Sequence, residues 1–282
     1  MANDVLKRGD PNAPGRADDL RTRCLCFMHC SMYQEALDEM RKCKLDMPFE
    51  TAYCLYSLSK YDETLAALKS MKGGKTAGML HLEAQVHYRR GDYRLATSCF
   101  DALNEMPSQE GSDFVANVLA SYASSGQTER GLKLSEELSP DSWEGVYNQA
   151  CIQIDAGQYD QARTSLAAAL KKGRETLEME DLPEEEIEDE LAVVHAQTAY
   201  LEQLCGNDDE AMAGYTKVHE MKPEDLCVDA TARNNIVSLK GERDLFLGLK
   251  HLKIASNPAL ERRFSTRQRV TVERNVLGWE TV

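Results

Sequence analysis

The sequence predicts an all-α chain of stacked helix pairs, and three observations carry that reading. A short phrase built on a turn residue recurs seven times, most of its copies lie close to one period, and two of them are followed in register by a proline.

The copies run Ser31 to Ala36, Ser59 to Thr64, Gly91 to Ala96, Gly126 to Gly131, Gly157 to Ala162, Gly206 to Ala211 and, more weakly, Gly241 to Phe246. Each reads turn residue, polar residue, often tyrosine, a polar or acidic pair, then a small residue. Successive ends are separated by 28, 32, 35, 31, 49 and 35 residues, around the ~34-residue period of the tetratricopeptide repeat. The turn residue ends one helix in a left-handed conformation, and the small residue lets the next helix pack closely. Pro48 follows Ala36, and Pro223 follows Ala211, by 12 residues each, where one pair stops before the next begins. A single pair hides only part of its apolar surface, so stacking supplies the core and a concave face lined by the first helices. The expected fold is a tetratricopeptide superhelix, an α-solenoid, of about seven pairs plus a C-terminal helix.

The spacing of 49 marks an insertion at 175–190, rich in glutamate and broken by Pro183, expected as a solvated loop between a lengthened second helix and a lengthened first helix. After Lys250 the pattern changes. Asn257-Pro258 is a break, and Ser265-Thr266 caps a final helix towards Trp279 in a basic segment with Arg262, Arg263, Arg267, Arg269 and Arg274. This resembles the first helix of an eighth pair and predicts that the chain is the N-terminal part of a longer protein. The expected division is a disordered segment over 1–19, a repeat domain over 20–252 and a basic segment over 253–282.

A net charge of -14 argues against the whole chain being a nucleic-acid binder and steers basic partners towards it. Met1 to Asp19 has no apolar core of a secretory signal, and no apolar run approaches the ~20 residues that cross a bilayer. Nine scattered cysteines fit reduced thiols in a cytosolic protein.

Catalytic and metal chemistry finds no constellation. Cys24, Cys26 and Cys30 beside His29 suggest zinc, but residues two apart on a helix face opposite sides, so Cys24 and Cys26 cannot share one ion. His195 falls at a helix-packing position. Met71-Lys72-Gly73-Gly74-Lys75 lacks the strand and spacing of a phosphate loop. No enzyme, cofactor or small-molecule substrate is expected.

Setting the register by the small residue gives the free face of each first helix. It comprises Phe49, Tyr53 and Tyr56 in the second pair, Gln85, Tyr88 and Arg89 in the third, and Asn117 in the fourth. The fifth adds Tyr147, Asn148 and Ile154, the sixth Gln197 and Tyr200, and the seventh Asn235. Tyrosine offers apolar area with a polar tip, and Asn and Gln can pair with a ligand's backbone. Each of these positions could instead pack against a neighbouring helix. A carboxylate clamp would need basic residues beside Asn117 and Asn148, and none flank them.

Three stretches resemble the family of the 72-kilodalton subunit of the signal recognition particle. They are Tyr147-Asn148-Gln149-Ala150-Cys151 ahead of Gly157, Glu190-Leu191-Ala192-Val193-Val194-His195-Ala196-Gln197-Thr198-Ala199-Tyr200 ahead of Gly206, and Arg233-Asn234-Asn235-Ile236-Val237. The likeness runs from the first repeat to Leu252, and the acidic insertion falls where that family also inserts. It implies a scaffold whose repeats hold the C-terminal part of the 68-kilodalton subunit for targeting of ribosomes to the endoplasmic reticulum. Particle RNA is implied as a partner of the full-length protein only, through a separate basic region. A generic repeat adaptor and direct RNA binding through Arg262 to Arg274 are the rival readings.

Overall fold

A computed structural model describes residues 16–106, 111–241, 245–261, 264 and 266–280. Among them all regular structure is helical: α1 (Arg16–His29), α2 (Tyr33–Cys43), α3 (Pro48–Ser57), α4 (Tyr61–Ser70), α5 (Ala77–Arg90), α6 (Tyr93–Asn104), α7 (Ser112–Ser125) and α8 (Thr128–Leu138). They are followed by α9 (Trp143–Asp155), α10 (Tyr159–Met179), α11 (Glu184–Leu204), α12 (Asp208–Met221), α13 (Leu226–Lys240), α14 (Leu245–Ala255), α15 (Pro258–Glu261) and α16 (Thr266–Glu280). The chain divides into two compact units, Met1–Gln109 and Glu110–Val282, each a tetratricopeptide-type stack of helix pairs.

The recurring phrase is the joint inside each pair. All seven turn residues, Ser31 and Ser59 included, have φ between 54° and 81°. In five of them the reversal is closed by the same two bonds, such as Met32 N–H to Phe27 O at 2.8 Å and Ser31 N–H to Met28 O at 3.0 Å, which satisfy carbonyls that the helix end would leave unpaired. In the first six pairs the second helix starts two residues after the turn residue and its small residue, Ala36, Thr64, Ala96, Gly131, Ala162 or Ala211, is buried. Gly131 has a steric reason: a Cβ there would lie 3.1 Å from Ile152 Cδ1 and 3.2 Å from Tyr122 Cβ.

The seventh joint departs from expectation. After Gly241 the buried small residue comes seven positions on rather than five, so the register slips by two residues. Phe246 is therefore 85% exposed, and the buried small residue is Gly248.

In the first unit, α1, α2 and α3 enclose Cys24, Ala36, Leu37, Met40, Cys54 and Leu55, and Ala52, Leu68 and Leu82 join α3, α4 and α5. Pro48 occupies the first turn of α3, where its missing N–H costs nothing. Residues 71–76 form the loop between α4 and α5, ended by the Thr76 hydroxyl accepting from Met79 N–H at 3.3 Å.

In the second unit the acidic insertion is helix, not loop. Residues 175–179 complete α10 and 184–190 begin α11, leaving four residues between them. The reason is apolar spacing inside the acidic run: Leu177 and Ile187 are buried with Leu191 in the core of α9, α10 and α11, and Arg174 pairs with Glu184 at 2.7 Å and with Glu188.

The end of the unit is a partial further pair. Asn257 Oδ1 caps α15 by accepting from Ala259 N–H at 3.0 Å. Beyond it α16 lies against α13 and α14, burying Leu260, Phe264 and Val272 with Ala230 and Ala255. Ser265, expected to cap this helix, lies outside the described residues, as do Arg262 and Arg263.

Candidate protein-binding faces

In the first unit, Phe49, Tyr53 and Tyr56 share one face of α3 at three- and four-residue steps, yet they differ in availability. Phe49 is half-buried, its ring 3.3 Å from where a Cβ on Gly78 would stand, so it covers the start of α5. Tyr56 tilts against Tyr61 at 6.2 Å. Tyr88 sits edge-on to Tyr93 at 5.4 Å. Tyr53 also meets a joint tyrosine, Tyr33 at 6.2 Å, but remains 38% exposed. The tyrosines of the first helices thus pack on the tyrosines of the joints, and of the six residues expected on this face Tyr53 and Arg89 are exposed while Phe49, Tyr56, Gln85 and Tyr88 are half-buried.

In the second unit, Asn148 Nδ2 donates to Ala116 O at 3.0 Å, tying α9 to α7 beside Asn117. That bond occupies one half of the asparagine pair a clamp would use. Ile154 is corrected from face to core: it is 4% exposed, four residues beyond buried Ala150, and packs with Ala162 and Leu166. Tyr147 and Tyr200 lie half-buried against the same cluster. Gln197 belongs to a row along α11, with Glu190, Val193, Tyr200 and Leu204, whose members are all at least partly exposed.

Asn235 is spent inside the fold. Its Nδ2 donates to the Tyr215 hydroxyl at 3.0 Å, and that hydroxyl donates to Gln203 Oε1 at 2.9 Å. Its neighbour Asn234 is 3% exposed and accepts from Asn275 Nδ2 at 2.8 Å.

Two ion networks hold the second unit, and residue types alone do not announce them. In one, Glu188 joins Arg174, Lys217 at 3.4 Å and His195 at 3.6 Å, bridging α10, α11 and α12. Burial would raise Glu188, but Lys217, His195 and Arg174 outweigh it and hold the carboxyl below its usual range. Burial and Lys217 push His195 down, with Glu188 opposing. In the other, Asp229 accepts from Arg233 Nε at 2.7 Å and pairs with His219 at 2.9 Å, and Arg233 also reaches His251 at 3.2 Å. Arg163 further clasps Glu202 with two bonds of 3.0 and 3.1 Å.

Cys24 is buried while Cys26 and Cys30 are exposed. Burial pushes the Cys54 thiol up to about 11 and Cys151 up to about 12, away from reactive thiolate. Among the described residues no three His, Cys, Asp or Glu gather as metal ligands, and no helix is long and apolar enough to cross a membrane.

Residues 15–124 match the SRP_TPR_like family of TPR-like repeats. The chain is 33% identical over 260 residues to the signal recognition particle subunit SRP72 of Caenorhabditis elegans, covering 90% of this chain and 40% of that one. To SRP72 of Dictyostelium discoideum it is 29% identical over 230 residues, covering 79% and 34%. It therefore spans about two-fifths or less of the length of these relatives. A crystal structure of a tetratricopeptide repeat protein from Parabacteroides merdae superposes with a TM-score of 0.64 at 15% identity, covering 94% of this chain and 98% of that one.

Proposed function

Since the chain carries the tetratricopeptide-like region of an SRP72-type subunit, we propose that it works in the signal recognition particle as a cytosolic, non-catalytic scaffold that holds the 68-kilodalton subunit for targeting of ribosomes to the endoplasmic reticulum. The observation that supports this most is the likeness to SRP72 over 90% of the chain. The open row Val193, Gln197, Tyr200 and Leu204 offers a partner helix two apolar contacts flanking an amide and a phenol. Tyr53, Gln85 and Arg89 offer the first unit's contribution.

Co-purification of the chain with the 68-kilodalton subunit tests the pairing itself. Leu204→Asp should then weaken it at least tenfold, because it places a charge in an apolar contact. Glu129→Ala, on an outer helix, should leave it unchanged. Tyr88→Ala and Tyr147→Ala are poorer probes, since both rings pack within the fold. Equal capture by the Leu204 variant, with its helicity intact, would move the contact off this row.

A further inference from the structure

We propose that the outward face of α14 is a second docking surface, made for an acidic amphipathic helix of a partner protein and separate from the first-helix faces. The register slip after Gly241 turns Phe246 outward, 85% exposed, with Leu249 at 55% and Ile254 at 37%. The opposite side of the same helix is fixed, because Gly248, His251, Leu252 and Ala255 are buried. Large exposed apolar side chains are scarce on second helices: among the described residues, α2, α4, α6, α8, α10 and α12 together show only Leu95 and Met179. Three on one short helix is an apolar patch of the kind that marks an interaction surface.

Charge decides the occupant. The chain has a net charge of -14, yet α14, Leu-Phe-Leu-Gly-Leu-Lys-His-Leu-Lys-Ile-Ala, contains no Asp or Glu. Lys250 and Lys253 are exposed and follow Phe246 at four and seven residues, so they share its face. A helix with a leucine stripe edged by glutamates would meet Phe246 and Leu249 with the stripe and both lysines with its acids. Vesicles enter the test because an anionic membrane would meet the same two lysines.

The test is fluorescence anisotropy of the full chain with a labelled synthetic helical peptide bearing leucines at three- and four-residue steps flanked by glutamates. A scrambled peptide of the same composition is the control. The helical peptide should bind at least tenfold more tightly than the scrambled one, and more weakly as salt is raised. Phe246→Ser should lose that preference, and its 85% exposure leaves folding intact. Lys250→Glu with Lys253→Glu should lose it too, and should regain binding with a lysine-for-glutamate peptide. No preference for the helical peptide, or full binding by either variant, overturns the proposal. So does co-sedimentation with phosphatidylcholine–phosphatidylserine vesicles in the absence of peptide binding, which would assign the face to membrane.

Discussion

Asn235 and Tyr215 are bound to each other across the sixth and seventh pairs, amide to phenol at 3.0 Å, although periodicity alone places Asn235 on a free face. Tyr215 is fully buried and its hydroxyl donates to Gln203 Oε1 at 2.9 Å, so one hydroxyl joins α11, α12 and α13. Tyr215→Phe keeps the ring and removes only the oxygen, leaving the Asn235 amide and Gln203 carbonyl without this partner. It should cost about 1–3 kcal/mol, read as a lower Cm in urea unfolding. A Cm equal to that of the unaltered chain would mean that water satisfies both groups.

Gly214→Ala should destabilise, against the usual gain of replacing a helical glycine. The new methyl would lie 2.7 Å from Ala199 Cβ and 3.4 Å from Ala199 Cα. Neither atom can turn away, so α11 and α12 must part, at about 1–3 kcal/mol. Gly78→Ala is the contrasting case, because it meets only the Phe49 ring at 3.3 Å, which can shift. That change should be neutral or stabilising by up to about 1 kcal/mol. The melting temperature should therefore fall for Gly214→Ala and hold or rise for Gly78→Ala.

Asn275→Ala should loosen α16 without unfolding the pairs before it. The Asn275 amide is within bonding distance of Asn234 Oδ1 at 2.8 Å and Ser238 Oγ at 2.9 Å, and these polar bonds supplement a small apolar contact through Val272 and Val276. Amide hydrogen exchange should quicken over 266–280 while α13 stays protected. Unchanged exchange there would show that the apolar contact alone seats the helix.

Acidification should weaken the fold from neutral pH downward. Burial first, then Arg233, His219 and Lys240, depress His251 to about 4, with Asp229 opposing. The unfolded chain regains the ordinary value near 6.5, so between these values the unfolded state binds more protons and stability falls as pH falls. His195 is depressed in the same sense by burial and Lys217. Glu202, held low by Arg163 and Asn207, adds a loss below its ordinary range. The melting temperature should drop progressively from pH 6.5 to 4, and His251→Gln should flatten that slope. Parallel slopes for both proteins would remove His251 from the account.

The joints were the most legible part of the sequence because backbone geometry restricts them: a left-handed turn residue and a close helix approach select Gly, Ser and Ala. The insertion was read as loop because its glutamates dominate composition, whereas Leu177 and Ile187, ten residues apart, determine that it stays helical. The free faces were half legible. Periodicity placed Gln197 and Tyr53 outward, but it cannot tell a solvent-facing side from one covered by the next pair, as Ile154 and Asn148 show. The Glu188 and Asp229 networks were hidden because their members come from three helices each, and only packing brings them together.

The length of α10 and α11 has a mechanical meaning. Each has 21 residues against 13 and 14 in α9 and α12, an excess of roughly 11 Å at 1.5 Å per residue. A hairpin that outreaches its neighbours is a lever arm: a few degrees of tilt at its base becomes a displacement of ångströms at its tip. Leu177 and Ile187, together with the Arg174 ion pairs, set the stiffness of that arm, so a force applied at the tip would be felt at the α9 to α12 core rather than dissipated in a loose loop.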